Sequence, residues 1–395
     1  MDRTKLIFVA GLILLFLIVH SELVTPWHTV SVNPKHFLPA QSEDVWTIIN
    51  DDYVGNDIFP YDIVFVNATH GWILSQTESG LNNGIILHTR DGGNTWSSSL
   101  QNTSDRYRKI AVIDTDTICV TCREGLYYTN NSGDTWNLIS IAESDDDSSF
   151  YGIYFLNRTY GWISSYAHMY KTIDGGKNWQ MLESWDFECA TTIRFVTAQE
   201  GWAAAFTGIY HTTDGGATWE KRYNEWVWTL SLISKTEAWA VGDDWIAKMS
   251  DGKTWITQPS PRDSPVPPPI APYYTDIFFI DSMHGWLAGT ETEVAYTPDG
   301  GHNWYSQSFP GSNRVMSFYF INATHGWAVE WGGCIYRTTR GNSLGTRLWM
   351  GLSDPIIIAA ISVPVVLIIS LIGLVKIRKK KHNHHKSAAV SVDLI

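Results

Sequence analysis

The chain has 395 residues, of which 44% are hydrophobic and 17% charged, so a folded core is expected. The net charge of −12 argues against a nucleic-acid-binding protein, because phosphate backbones require basic patches. Twenty tryptophans are far more than ordinary usage and call for a structural or functional explanation.

The first predicted element is an N-terminal apolar segment. Residues 6–19 are uninterrupted apolar residues behind Arg3 and Lys5, which is the pattern of a secretory signal. His20 and Ser21 end a poor cleavage site. Residues 1–21 are therefore predicted to be either a signal peptide or an uncleaved signal anchor.

A short polar turn that closes on tryptophan occurs six times in the middle of the chain. Typical copies are HTTDGGATW from His211 and KTIDGGKNW from Lys171. In this Asp-Gly turn the aspartate is expected to accept hydrogen bonds from turn amides, and the glycines to supply positive φ. The tryptophan is expected to pack against a neighbouring repeat. The residues assigned to this structural role are Asp91, Trp96, Trp136, Asp174, Trp179, Asp214, Trp219, Asp251, Trp255, Asp299 and Trp304.

A second motif, typified by HGW at 70–72, stands upstream of most Asp-Gly turns and follows a short alternating apolar run. Each unit thus predicts a four-stranded meander of about 40 residues, the period of a propeller blade. The helical periodicity of an α-solenoid is absent. The predicted first strands are 61–66, 108–113, 151–156, 191–196, 228–233, 275–280 and 316–321.

The seventh unit lacks its final strand, since Arg340 replaces the turn aspartate and no tryptophan follows. The N-terminal sequence SEDVWTIIN carries Trp46 in front of a short strand-like run. Propellers avoid open sheet edges, so residues 42–50 are predicted to complete the seventh blade. The sequence predicts an all-β, seven-bladed propeller over residues 42–346.

The C-terminal region predicts a membrane anchor. Residues 356–375 form an apolar run long enough to span a bilayer as a transmembrane helix, and residues 376–395 form a basic tail that is expected to be cytoplasmic. The tail carries +5 and residues 1–21 carry +1, so the rest of the chain must carry −18 to give the net charge of −12. We expect a single-pass cell-membrane protein with its propeller outside. Possible glycosylation sequons support this topology, at Asn67, Asn102, Asn130, Asn157 and Asn322.

Neither metal nor cofactor is predicted. Cys119 and Cys122 form a single CxxC, and a zinc site needs four ligands. The pairing of these two with Cys189 and Cys334 in disulfides stays open. The acidic stretch 142–149 lacks the ligand spacing of a known calcium loop and is interpreted as a solvated connection.

The repeated motifs carry a family resemblance. TTDGGATW and its copies resemble the Asp boxes of sialidase-type propellers, and their combination with GWAV-type motifs resembles the photosystem II assembly and stability factor family. This resemblance, over roughly residues 45–345, implies a chaperone-like protein binder. Photosynthetic members use an arginine-rich surface for their partners, whereas arginine is sparse here.

The repeats leave seven tryptophans unexplained, and five of them are expected in connections opposite the Asp-Gly turns, next to acidic residues; the other two are Trp27 and Trp349. An aromatic and acidic channel mouth is one interpretation; padding of irregular loops beside the proline-rich insert 259–272 is the other. The candidate ligand-binding residues are Trp185, Asp186, Glu188, Glu225, Trp226, Trp228, Asp243, Asp244, Trp245, Glu330 and Trp331.

We expect a non-catalytic surface module that binds a protein or glycan outside the cell. The alternative is a glycoside hydrolase that uses carboxylates of the same face, since such an enzyme needs two carboxylates across a cleft. Sialidase chemistry is disfavoured by the missing Arg-Ile-Pro motif and by the charge of −18, which would repel sialic acid.

Overall fold

The computed structural model describes residues 45–50, 58–77, 83–102, 105–141, 150–183, 189–259, 273–289 and 294–344. The N-terminal residues 1–44, the predicted membrane span and the basic tail lie outside this description. Within the described segments, no helix has the length and apolar character needed to cross a membrane.

Seven four-stranded antiparallel sheets make up the described chain, which confirms the predicted all-β, seven-bladed propeller. The first strand, β1 (Thr47–Asn50), belongs to the last blade. Blades 1 to 3 are β2–β5 (Ile58–Phe65, Gly71–Thr77, Gly84–Thr89, Ser97–Asn102), β6–β9 (Ile110–Val112, Ile118–Thr121, Gly125–Thr129, Asn137–Ser140) and β10–β13 (Gly152–Phe155, Gly161–Ser164, Met169–Thr172, Gln180–Leu182). Blades 4 to 7 are β14–β17 (Ala190–Phe195, Gly201–Ala205, Gly208–Thr212, Glu220–Tyr223), β18–β21 (Thr229–Ser234, Glu237–Val241, Ile246–Met249, Trp255–Gln258), β22–β25 (Tyr274–Phe279, Gly285–Gly289, Val294–Thr297, Tyr305–Gln307) and β26–β28 (Val315–Phe320, Gly326–Glu330, Ile335–Thr338) with β1.

The N-terminal strand closes the ring, as the sequence predicts. β1 pairs antiparallel with β28, with Thr47 opposite Arg337. Trp46 is fully buried, and its Nε1 donates a hydrogen bond to Oε1 of Gln307 in blade 6 at 3.0 Å. The edge that the seventh blade would otherwise expose is therefore paired with the start of the propeller.

The tryptophan of each Gly-Trp motif locks one blade to the next. Trp327 of blade 7 stacks on Phe65 of blade 1, with ring centroids 3.6 Å apart. Its Nε1 donates to the carbonyl oxygen of Gly92, in the Asp-Gly turn of blade 1, at 3.0 Å. Trp162 repeats both contacts with Phe195 and Gly215 of the following blade. These side chains are almost completely inaccessible to solvent, so the interfaces between blades are the hydrophobic core.

The Asp-Gly turns form the hydrogen bonds expected of them. In blade 1, Oδ1 of Asp91 accepts from the backbone N–H of Thr95 at 2.9 Å, and Oδ2 accepts from the Thr95 hydroxyl at 2.7 Å. Burial alone would raise the pKa of Asp91, but these hydrogen bonds lower it below the ordinary value. Gly92 and Gly93 have φ of 74° and 92°, which only glycine adopts readily.

The turn tryptophans also take part in the blade interfaces. Trp304 stands edge-on to Phe279 of its own blade and to Trp239 of the preceding blade, at 6.1 and 6.4 Å between ring centroids. Trp255 likewise meets Trp202 of the preceding blade at 5.7 Å. Trp219 is only half-buried, so its contribution to stability is smaller than that of Trp304.

Candidate functional site

The predicted binding residues lie in connections at the ends of the sheets opposite the Asp-Gly turns. Residues 224–228 join β17 to β18, residues 242–245 join β19 to β20, and residues 331–334 join β27 to β28. The predicted residues Trp185, Asp186 and Glu188 lie outside the described residues. We call this end of the propeller the connection face.

Two tryptophans are exposed together on the connection face. Trp226 and Trp228 are 44% and 38% exposed, and their ring centroids are 5.7 Å apart. Val227 between them is fully buried, so the alternation of an extended backbone turns both indoles outward. Phe206 stacks on Trp226 at 4.4 Å with an interplanar angle of 16°. Phe206, Trp226 and Trp228 are called the aromatic patch below.

Acidic side chains border the aromatic patch. Oδ1 of Asp243 accepts a hydrogen bond from Nε1 of Trp228 at 2.7 Å, which fixes the orientation of that indole. Glu225 and Asp244 are exposed. Trp245, in contrast, is half-buried against Tyr223 at 5.0 Å and belongs to the core between blades 4 and 5. The patch therefore combines apolar rings with carboxylates that can accept hydrogen bonds from a partner.

Glu330 and Trp331 lie in blade 7 and serve local packing. Glu330 is only 1% exposed, and its carboxylate accepts hydrogen bonds from the Tyr336 hydroxyl and from the backbone N–H of Asn313. Burial and the adjacent Glu330 carboxylate raise the pKa of Tyr336 above its ordinary value. Trp331 lies between Phe59, at 5.2 Å, and the guanidinium of Arg314, at 4.7 Å. We leave Glu330 out of the binding surface because its oxygens are already engaged.

Three of the predicted sequons coincide with a structural turn. Oδ1 of Asn157 accepts from the backbone N–H groups of Thr159 and Tyr160 in the hairpin between β10 and β11. Asn67 and Asn322 make the same contacts in blades 1 and 7. In blade 6, Oδ1 of Asp281 accepts the equivalent hydrogen bonds from the backbone N–H groups of Met283 and His284. This turn position therefore favours a short side chain with an acceptor oxygen, either Asn or Asp. Asn130 is exposed beside an Asp-Gly turn, and the structure describes the backbone of Asn102 as the end of β5.

The CxxC cysteines are buried in blade 2 and are not joined to each other. Burial raises the pKa of Cys122 to about 12, and that of Cys119 also rises above its usual range. Burial thus disfavours the reactive thiolate form of both side chains.

A central channel, which the sequence reasoning missed, is lined by all seven inner strands and encloses a cavity of about 380 Å³. Oδ1 of Asp62 lies 3.2 Å from Nζ of Lys109, and Oδ2 of Asp62 accepts from the backbone N–H of Ile110. Oδ2 of Asp276 accepts from the backbone N–H of Phe318 at 2.9 Å. Burial raises the pKa of Asp276 to about 6, although Lys109 opposes this. The sequence signal for these channel residues was an aspartate at the start of an otherwise apolar strand, as in DIVFV from Asp62 and DIFFI from Asp276.

Fold and site together define a seven-bladed propeller with an aromatic connection face and a charged channel. The family model for the photosynthesis system II assembly factor YCF48 matches residues 38–145. The structure resembles YCF48 bound to D1 peptide, at 19% identity and TM-score 0.62, over 76% of this chain and 97% of that chain. It also resembles YCF48 from Cyanidioschyzon merolae, at 16% identity and TM-score 0.58, over 76% and 99% of the two chains. The predicted resemblance to this assembly-factor family is thereby confirmed, by the family model over residues 38–145 and by the shared propeller fold.

The fold is shared with an enzyme as well. An ancestral GH74 enzyme is 14% identical with a TM-score of 0.58, and the match covers 77% of this chain but 47% of the enzyme. The propeller thus spans about half of that enzyme, and the likeness concerns the fold alone. Among curated proteins, none matches the chain by sequence.

Proposed function

We propose that the protein is a non-catalytic binding module that holds a protein partner through the aromatic patch. The carrying observation is the exposed pair Trp226 and Trp228, braced by Phe206 and by the hydrogen bond to Asp243. Aromatic rings with a polar border are typical of the residues that dominate protein interfaces. Rigid, pre-oriented indoles also lower the entropic cost of binding.

The likeness to YCF48 supports a protein as the partner. The YCF48 structure with TM-score 0.62 contains a bound D1 peptide, so a propeller of this kind can hold a polypeptide. We infer an extended segment of a partner protein as the ligand here. Glycans also stack on exposed indoles, so identification of a glycan as the ligand would contradict a protein partner.

The proposed location is the cell surface. The N-terminal apolar segment 6–19 supports export, and the apolar run 356–375 followed by the basic tail supports a C-terminal membrane anchor. The charge of −18 on the intervening chain suits an exposed, soluble ectodomain. Protease added to intact cells should remove the propeller and leave the tail protected; protection of the whole chain would overturn the topology.

A photo-crosslinker tests the binding face directly. In the full-length protein in its own cells, the exposed Glu225 beside Trp226 is replaced by p-benzoylphenylalanine, which leaves both tryptophans of the aromatic patch in place. The matched control carries the same residue at Ile173, which is 67% exposed but lies in an Asp-Gly turn at the opposite end of the sheets. We expect one defined protein adduct from position 225 and none from position 173. Equal adducts at both positions, or none at either, would contradict the proposal.

The glycosidase alternative has few carboxylates to work with among the described residues of the connection face. Asp243 is bonded to Trp228 and Glu330 is buried, which leaves Glu225 and Asp244 exposed. Turnover of a glycoside by the propeller that disappears in Glu225→Gln would favour the enzyme. If Trp226→Ala abolishes the crosslinked adduct and the parent protein turns over no glycoside, the binding module is favoured.

A further inference from the structure

The central channel has the size and the mixed chemistry of a small-molecule site. Its cavity of about 380 Å³ falls in the range of known ligand pockets, roughly 300–1,000 Å³. Inner strands of blades 1, 4, 6 and 7 each contain a bulge, followed directly by Asp62, Thr192, Asp276 and Ser317. These four residues occupy equivalent positions and therefore define one level of the channel.

The next level lies two residues further along each strand, about 6.6 Å away, on the same face of the strand. It contains Arg194, Phe278 and Tyr319, and β10 adds Tyr154 to the same wall. Phe278 and Tyr319 have ring centroids 5.6 Å apart, and the Tyr154 hydroxyl donates to the carbonyl oxygen of Phe195 at 3.0 Å. This level is an aromatic collar whose rings are held in place.

Arg194 is a cation without an anionic partner among the described residues. Its Nη1 donates to the carbonyl oxygen of Ile193 at 2.9 Å, and its guanidinium lies 5.6 Å from the Tyr154 ring centroid. A guanidinium has five N–H donors in a planar fork that fits a carboxylate, so most of its capacity is unused.

Asp276 is the matching anion at the first level. It accepts hydrogen bonds from the backbone N–H groups of Phe318 and Ile277, both at 2.9 Å. The channel lysine, Lys109, forms its ion pair with Asp62 instead. Asp276 therefore has no cation at ion-pair distance within the described channel wall.

We propose that the channel binds a small zwitterionic ligand with a planar apolar body. Arg194 holds the carboxylate, the rings of Tyr154, Phe278 and Tyr319 contact the body, and Asp276 holds the ammonium group. An unpaired cation within the aromatic collar and an unpaired anion one level away along the channel match such a molecule in charge and in shape. The site is separate from the aromatic patch and does not depend on the function proposed for it.

The test uses isothermal titration calorimetry of the purified protein with 4-(aminomethyl)benzoate. Benzoate lacks the ammonium group of this probe, and benzylamine lacks its carboxylate. We expect the zwitterion to bind at least about tenfold more tightly than either, with a Kd of about 1 mM or below. Absence of heat at about 10 mM probe, or equal affinity for the three compounds, overturns the proposal.

Variants assign the two ends of the ligand. Arg194→Gln should lower the affinity for the zwitterion and for benzoate by about tenfold or more. Asp276→Asn should lower the affinity for the zwitterion and leave the affinity for benzoate unchanged. Asparagine keeps an oxygen that can accept from Phe318, so folding is preserved. The control Arg90→Gln removes an exposed arginine paired with Asp134 and should change nothing. Trp228→Ala should also bind normally, and equal losses in Arg194→Gln and Arg90→Gln would refute the assignment.

Discussion

Replacing Trp46 by alanine tests whether the N-terminal strand closes the propeller. Trp46 is 0% exposed, and its ring packs against Phe309 and Phe318 at centroid distances of 5.7 and 6.0 Å. Its Nε1 donates to Gln307 of blade 6, while β1 pairs with β28 of blade 7. Trp46 thus connects the first strand of the propeller to blade 6, while β1 itself pairs with blade 7.

The cost can be worked from burial. A buried tryptophan removes about 150–250 Å² from water, which at about 25 cal/mol per Å² is roughly 4–6 kcal/mol. Measured Trp→Ala changes in cores, about 3–5 kcal/mol, agree with this value. Oε1 of Gln307 would also lose its donor, which adds about 1–3 kcal/mol if no water replaces it. We expect a loss of about 4–6 kcal/mol, a large share of the roughly 5–15 kcal/mol of a typical domain.

The assay is thermal and urea unfolding followed by far-UV circular dichroism. At about 2 °C per kcal/mol for a large domain, the midpoint should fall by roughly 10 °C. Ile48→Ala, on the same strand but at a side chain that is 40% exposed, is the matched control and should cost less than about 1 kcal/mol. Because Trp46 and Gln307 share a hydrogen bond, their double variant should show a coupling of at least about 0.5 kcal/mol.

Two results would show that Trp46 does not close the ring. If Trp46→Ala lowers the melting temperature no more than Ile48→Ala does, the buried indole does not carry the closure. If the effects of Trp46→Ala and Gln307→Ala simply add, the contact between blade 6 and the N-terminal segment has no energetic role.

Four further outcomes follow from the same contacts. Trp327→Ala should lower the free energy of unfolding in urea by about 3–5 kcal/mol, because this indole is buried. Trp228 is 38% exposed, so Trp228→Ala should lower it by less than about 1 kcal/mol and yet abolish crosslinking to the partner. Asp174→Asn should be milder than Asp174→Ala in thermal unfolding, because Asn131 naturally accepts the equivalent backbone hydrogen bond; equal losses would contradict the turn account. Asn157→Asp should remove any glycan without loss of stability, whereas Asn157→Gln should lower the melting temperature, since Asp281 fills the same turn in blade 6. Asp276 has a folded pKa of about 6, above its unfolded value of about 3.8, so its ionisation destabilises the fold as pH rises from about 4 to 6. Urea unfolding of Asp276→Asn should therefore show a smaller fall in stability over that range than the parent protein, and identical pH profiles would contradict this.

The blade count and the ring closure could be predicted because both are written in local sequence. The Asp-Gly turn requires aspartate, positive-φ glycines and a following tryptophan within ten residues, and the alternating strands have period two. Trp46 was recognisable because it stood in front of a strand that the seventh unit lacked. The exposed pair Trp226 and Trp228 was found by subtraction, as tryptophans that the repeat did not explain.

Other assignments depended on distances that no local pattern encodes. Only the ring of seven inner strands brings Asp62, Arg194 and Asp276 to one channel, because residues far apart in the chain become neighbours when the sheets close. Glu330 and Trp331 matched the acidic and aromatic pattern of the connection face, yet Tyr336 and Asn313 engage the first, and Phe59 and Arg314 cover the second. The amino-acid sequence determines which residue types are available. Burial and pairing, which arise between blades, decided which of them can contact a ligand.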